Sequence, residues 1–220
     1  MEMKNIVAGF EALDTPCVSD AMDRLGIPGG LLHAKPVVTG TGKVVCGPAF
    51  TVKYIPVGLE KKTVGDFLDD VPAGDIVVID NAGRDFCTVW GDIMSFCAEM
   101  KGVAGTLIDG VCRDVKVVKE LDYPIYTTKG CYMVTGKDRV QIESVNQPVT
   151  ISDIQVCAGD LIMCDDNGAL RIPKEKAEEI LTVAQEIDTK ESGILAALKA
   201  GSTLSEARKQ SGYHHLQTKR

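Results

Sequence analysis

The chain has 220 residues, 45% of them apolar and 25% charged, which suits one large globular domain rather than a disordered or fibrous chain. Its net charge of -7, with no block of lysine or arginine, is wrong for tracking a phosphate backbone, so no nucleic-acid partner is expected. No apolar run approaches the roughly 18 residues of a membrane span, and the opening MEMKNIVAGF lacks the cationic and apolar blocks of a signal peptide. The expectation is a cytoplasmic protein with no membrane partner. Eight cysteines sit mostly inside apolar runs such as Phe86-Cys87 and Met163-Cys164, with no CxxC pair. They read as small core residues of a reducing compartment, not as a disulfide framework or a zinc site.

Residues 1–27 read as two short helices, the second capped by Asp14-Thr15 and closed by Gly26. Residues 36–57 turn β-rich, as VVTG, KVVCG and AFTVKYIPV divided by glycine and proline. Strands and helices then alternate: strand 75–80, helix 91–101, strand 103–109, helix 113–121 and strand 124–128. The apolar runs DIVVID and VAGTLID suit strands buried on both faces, and the alternation implies parallel pairing through crossover helices. Ligands of such sheets bind beyond the carboxyl ends of the strands, so Asp80, Asp109 and the residues just after each lie at the chemical edge. Past Val140 the chain is β-rich again, and Asn167-Gly168 between DLIMC and ALRI marks a tight hairpin. The preceding Asp165-Asp166 has only a faint calcium-loop look, because the alternating ligands and distal glutamate are missing. Pro173 is expected to open, at its first position, a long helix running to Gly201, with a short helix from Ser205. The long helix has no partner late in the chain and is expected to pack across the sheet or onto a neighbouring subunit. The division expected is a domain over 1–205 and a tail over 206–220.

Gly91-Asp92 begins one helix just past a strand, Arg113-Asp114 begins the next, and twenty residues separate Asp92 from Arg113. In adjacent βα units this brings two helix amino termini together at one sheet edge. Free backbone N–H groups there, such as those of Ile93 and Met94, suit a substrate carboxylate. Two carboxylates and an arginine make a plausible hard-cation site with an oxyanion stabiliser. Magnesium fits better than zinc because only oxygen ligands are on offer, with Asp114 binding directly and Asp92 through a water. The same residues also read as ordinary first-turn acids favoured by the helix dipole, with Arg113 a surface partner. Spacing alone leaves both readings open.

The run WGDIMSFCAEMKGVAGTLIDGVCRDV resembles the RraA-like family, which includes 4-hydroxy-4-methyl-2-oxoglutarate and 4-carboxy-4-hydroxy-2-oxoadipate aldolases. The likeness extends to VSDAMDRLG, GPAFTV, AGDIVVID and AGDLIMCDDNGALRIP, and so to nearly the whole chain. The resemblance implies an α/β fold: a compact single domain with central β-sheets of swivelling β/β/α type, flanking helices and a long C-terminal helix. It implies a homotrimer or a hexamer, with each site at a subunit boundary and built on Gly91, Asp92, Ile93, Met94, Arg113 and Asp114. Mg2+, or Mn2+ or another divalent ion, would bind Asp114 directly and Asp92 and an acid of the neighbouring subunit through water. That acid matches Glu191 on the long helix, with Asp188 and Glu186 as close alternatives, and Leu195 departs from an arginine common among relatives. The implied reaction is aldol cleavage of a 4-hydroxy-2-oxo diacid to pyruvate and a second oxo acid, with oxaloacetate decarboxylation sharing the same enolate.

Arg84-Asp85 is a second Arg-Asp pair that could touch the distal end of the substrate, or form a solvated loop ion pair. Lys53, Lys116 and Lys129 carry no context that marks a Schiff-base lysine. Trp90 is expected in the site wall, His33 in a structural role, and His214 and His215 in a polar tail. Two other functions compete: a protein-binding regulator of a ribonuclease, as some proteins resembling this family are, and a phosphate-carrying swivelling domain, for which only His33 could serve.

Overall fold

Strand β2 (Val45–Pro56) organises the molecule, because its two halves belong to different parts of one curled sheet. The computed structural model describes residues 2–28, 30–38, 42–59 and 64–211. Helices α1 (Met3–Glu11) and α2 (Thr15–Leu25) come first, then β1 (Lys35–Val38) and β2. The βα alternation runs through β3 (Ile76–Arg84), α3 (Asp92–Met100), β4 (Gly105–Gly110), α4 (Val115–Leu121) and β5 (Ile125–Thr127). Strands β6 (Val140–Val145), β7 (Val149–Ile151), β8 (Ile154–Val156), β9 (Leu161–Asp165) and β10 (Gly168–Ile172) come next, and helices α5 (Ala177–Lys199) and α6 (Leu204–Ser211) close the chain. This is the α/β architecture expected of the sequence, with its long C-terminal helix.

The sheet order is β1-β5-β4-β3-β2-β9-β10, with β6 also on β2. Strands β2, β3, β4 and β5 pair in parallel, as the crossover helices require. β1, β6, β9 and β10 add antiparallel pairs. Gly47-Pro48 was expected to break β2, yet the strand runs straight through both, pairing Pro48 with Leu161. Gly47 is required there because the carbonyl of Gly74 occupies the space of a β-carbon. β3 also outruns its expected end at Asp80, passing through left-handed Ala82 (φ 52°) and Gly83 (φ 62°) to pair Arg84 with Gly110.

Alternation along the strands divides the core. On β3 and β4, Val77, Ile79 and Ile108 face α3 and α4, and Ile76, Val78 and Leu107 face the curl of the sheet. On β9, Ile162 and Cys164 complete that inner layer, and Leu161 and Met163 turn outward to α1, α2 and α5. Helix α5 therefore finds its partner at the other end of the sequence: Ala184 and Ile187 pack with Val18 and Ala21 of α2. Pro173 does not open α5 but precedes a single 3-10 turn (Lys174–Lys176), and α5 starts at Ala177. Helix α6 crosses the expected boundary at 205, with Ala207 buried. His214 and His215 lie outside the described residues.

Helix α2 shows how the amino terminus is locked. Asp14 caps it, accepting from Cys17 N–H at 2.9 Å, and Gly26 ends it in the left-handed region (φ 64°). Asp165, buried at the end of β9, accepts from Thr15 N–H at 2.8 Å and Thr15 Oγ1 at 2.7 Å. It also accepts from Asn167 N–H at 2.7 Å, closing the β9–β10 hairpin around Asp166 and Asn167. The expected Asn-Gly turn is thus displaced by one residue, and Gly168 opens β10 instead. Burial alone would raise the Asp165 carboxyl, but the Thr15 and Asn167 hydrogen bonds outweigh it and hold it below the ordinary value. Asp165→Ala leaves buried donors unpaired and is expected to cost about 2–3 kcal/mol in urea unfolding. Because the folded pKa is depressed, the stabilisation is complete above the ordinary carboxylate value of about 3.9. It is lost as pH falls through the folded value, and an Asp165→Asn variant should show a flatter stability profile in that acid range.

Candidate active site

Two chain segments leave the carboxyl edge of the parallel strands and meet. One runs from β3 through Thr88, Val89 and Trp90 to α3, and the other from β4 through Cys112, Arg113 and Asp114 to α4. They are joined by Arg113 N–H donating to the Trp90 carbonyl at 3.1 Å. Trp90 is buried, its indole N–H donates to Ser95 Oγ at 2.9 Å, and its ring stacks on Tyr123 at 6.2 Å. Ser95 Oγ in turn donates to the Gly91 carbonyl at 2.8 Å. The turn that presents Gly91 is therefore anchored from beneath by an indole and a hydroxyl, and Trp90 forms the wall of the cleft as its position in the sequence suggested.

At Gly91 the expected residues come together. Asp114 Oδ2 lies 3.1 Å from Arg113 Nε and accepts from Asp92 N–H at 3.3 Å. A β-carbon on Gly91 would stand 2.5 Å from that same oxygen and 3.2 Å from Arg113 Nε, so only glycine admits the carboxylate this close to the start of α3. Asp114 is not a first-turn residue of α4 but its cap position, held at a left-handed φ of 58°. Aspartate tolerates that conformation better than most residues, and an acid in it next to a cleft is the kind of strained position that clusters at functional sites. Asp92 occupies the first position of α3, and its Oδ1 accepts from Ile93 N–H at 2.8 Å. The Ile93 amide, expected to be free for a substrate, is thus engaged by its neighbour's carboxylate. The Met94 amide also lies in the first turn of α3, where backbone donors lack a partner within the helix.

The cleft above these groups has a volume of about 240 Å3 and is lined by Gly91, Asp92, Ile93, Met94 and Arg113 together with Val64, Gly65, Thr88 and Thr135. The last four were not foreseen. Thr88 and Thr135 meet as a parallel bridge, so a segment from beyond β5 closes one side, a contact that no local pattern announces. Arg113 lines the cleft, and the Arg113 and Asp114 side chains are each about one-third exposed. The donor set is oxygen only. Among the described residues of one chain no three metal-binding side chains gather.

The remaining candidates lie elsewhere. Arg84 Nη1 donates to the carbonyl and side-chain oxygens of Asn81, at 2.9 and 3.3 Å, and so braces the end of β3. Lys53 is paired with Glu143 at 2.8 Å, and that partner raises its pKa, the wrong direction for a Schiff-base amine. Lys129 and His33 line a different cleft beside Asp80 and Asp109, on the opposite face of the sheet. Glu191 lies on α5 beside Asp20, Asp14 and Asp188, and burial followed by those three charges raises its carboxyl. It does not line the Asp92 cleft of its own chain. Of its two alternatives, Glu186 is committed to Arg24 at 3.3 Å.

The chain is similar to known proteins along most of its length. The chain is 37% identical over 216 residues, 96% of its length, to Protein DlpA of Legionella pneumophila, and spans about a third (34%) of that longer protein. It is 30% identical to a Halalkalibacterium halodurans protein named "Putative 4-hydroxy-4-methyl-2-oxoglutarate aldolase", over 82% of each chain. Among solved structures, an uncharacterized protein of Pseudomonas syringae pv. tomato superposes with a TM-score of 0.87 at 38% identity, over 95% of both chains. The RraA-like family, described as Aldolase/RraA, matches residues 15–171, the span that runs from the first residue of α2 through the Gly91 cleft to β10. The chain belongs to the RraA-like family.

Proposed function

We propose that the protein is a divalent-metal-dependent carbon–carbon lyase that cleaves a 4-hydroxy-2-oxo diacid to pyruvate and a second oxo acid, with oxaloacetate decarboxylation as a side activity. The observation that carries this reading is the sharing of Asp114 Oδ2 by Arg113 Nε and the Asp92 amide at a glycine with no room for a side chain. The aldolase name of the Halalkalibacterium relative supports the reaction class. The all-oxygen donor set suits Mg2+, or Mn2+ in its place, held by Asp114 directly and by Asp92 through water. Glu191 of the partner subunit would complete the set in a homotrimer or hexamer. Exposed Ile93, Phe96 and Met100 form one stripe on α3 beside the cleft, an apolar face suited to burial against a second copy. The reading includes a cytoplasmic location and a small-molecule substrate.

A bound cation supplies positive charge where the 2-oxo oxygen of the substrate becomes negative. Arg113 stabilises the same developing charge. The Met94 amide, and that of Ile93 once Asp92 Oδ1 releases it, orient the substrate carboxylate at the start of α3. Asp92 steers the water that takes the hydroxyl proton as the carbon–carbon bond breaks, and that returns a proton to the pyruvate enolate. Loss of carbon dioxide from oxaloacetate leaves the same enolate, so both reactions use the same groups.

Incubating the protein with Mg2+ and a 4-hydroxy-2-oxo diacid or oxaloacetate should release pyruvate, and a chelator should stop it. Asp114→Ala should abolish release and Arg113→Ala should slow it about 100-fold or more, the scale of one oxyanion donor. Wild-type rates in either variant, or pyruvate release that ignores the chelator, would overturn the assignment. Absence of any metal-dependent pyruvate would favour the protein-binding regulator. Gly91→Ala presses on side-chain atoms of Asp114 and Arg113, which can shift toward the open cleft, so its unfolding free energy should change by less than about 1 kcal/mol. Its turnover should nonetheless fall about tenfold or more, because the carboxylate leaves its place between Arg113 and Asp92.

A further inference from the structure

One pair of thiols beside the site is used by none of this chemistry. Cys112 directly precedes Arg113 and is buried, whereas Cys131, on the segment after β5, is the exposed one among the eight cysteines. The two are partners in a parallel bridge. Cys112 N–H donates to the Gly130 carbonyl at 3.2 Å, and Tyr132 N–H donates to the Cys112 carbonyl at 2.9 Å, which fixes Cys131 opposite Cys112. Bridge partners in parallel strands project their side chains to the same face from backbones about 4.8 Å apart. That separation falls within the Cα distances of roughly 4.4–6.8 Å that a disulfide spans. The bridge therefore sets the two thiols side by side.

We infer that Cys112 and Cys131 form a redox modification site, at which a small disulfide such as oxidised glutathione closes a Cys112–Cys131 bond and displaces Arg113 and Asp114. The Cys131 sulfur, which solvent reaches, attacks glutathione disulfide, breaks its S–S bond and releases one glutathione. The Cys112 sulfur then attacks the Cys131 sulfur of the mixed disulfide and releases the second. The protein pair gives up two electrons, the oxidant is reduced to two thiols, and the two cysteine protons leave with them. Bond formation draws the sulfurs from contact to about 2.05 Å. Cys112 belongs to the buried cluster that includes Val89, Trp90 and Ile108, and its neighbour Arg113 is held by the Trp90 carbonyl. Arg113 and left-handed Asp114 follow Cys112 directly, so the contraction strains the Arg113–Trp90 hydrogen bond and small backbone changes move the Asp114 carboxylate away from Asp92.

The effect on turnover rests on the proposed lyase reaction, whereas the bond and the local displacement do not. The reduced protein is incubated with glutathione disulfide, then analysed by peptide mapping under non-reducing conditions, by fluorescence and by pyruvate release. Trp90 is the only tryptophan in the chain, so emission reports from the carbonyl that holds Arg113. The expected result is a Cys112–Cys131 linked peptide, altered Trp90 emission and pyruvate release reduced at least about tenfold, within the ~100-fold that a 1 Å misplacement can cost. Dithiothreitol should reverse all three, and Cys131→Ser should keep normal release and emission in the presence of the oxidant. Linkage of other cysteines, no linkage, or linkage that leaves emission and release unchanged would overturn the inference. If the reduced protein makes no pyruvate, the lyase reading falls by itself, and peptide mapping with Trp90 emission still decides the thiol pair.

Discussion

The hydrogen bond from Arg113 N–H to the Trp90 carbonyl is the contact on which the site depends. Strands β3 and β4 pair in strict register from Ile76 with Gly105 to Asp80 with Asp109, which delivers both chain segments to the same level of the sheet. Register alone would leave two helix starts near each other without fixing their relative height. The Arg113–Trp90 bond does so, and the anchoring of Trp90 by Ser95 and Tyr123 passes that constraint to the hydrophobic core. Only then can Asp114 Oδ2 reach the Asp92 amide across Gly91. The precision of the polar groups is inherited from buried aromatic packing.

The two faces of the sheet divide the work. The face under α3 and α4 carries Val77, Ile79 and Ile108 beneath the cleft, and its helices supply the amides and acids at their amino termini. The other face carries Asp80 and Asp109 at its edge and packs Ile76, Val78 and Leu107 against β9. Acids at the carboxyl ends of parallel strands thus occur on both sides, yet among the described residues only the side under α3 and α4 joins them to an arginine and helix amides. A sheet edge is a permissive place for chemistry, and the groups that converge there distinguish one face from the other.

Much of this was legible in the sequence. Continuous apolar runs found β3 and β4, because strands buried on both faces need no alternation, and the spacing of Asp92 from Arg113-Asp114 anticipated that these residues meet at one sheet edge. What escaped depended on contacts far apart in the chain. Gly47-Pro48 reads locally as a break, and only the approach of the Gly74 carbonyl explains a glycine inside β2. Asp114 before a helix reads as a dipole-favoured acid, and its left-handed backbone has no signature that separates it from one. Helix α5 had no visible partner because that partner, α2, lies at the opposite end of the sequence. The occupied Ile93 amide was hidden for a simpler reason: an aspartate at the first helical position can turn back onto the next N–H as readily as outward. Exposed Cys131 escaped because burial of a cysteine was inferred from apolar neighbours.

The continuity of β2 has a consequence for how the chain reaches this structure. Its first half, Val45 to Pro48, pairs with β9 rather than with any strand near it in sequence, and its second half pairs with β3 and β6. Closing so long a loop before its contacts are formed slows folding, so the helices and the β3–β4–β5 unit can assemble well before the curl is closed. During synthesis the outer edge of Val45 to Pro48 waits, unpaired, until residues 161–165 have left the ribosome. Over that interval β2 is an open strand edge in an otherwise advancing fold, and the arrival of β9 both completes the core and removes the surface most prone to pairing with another nascent chain.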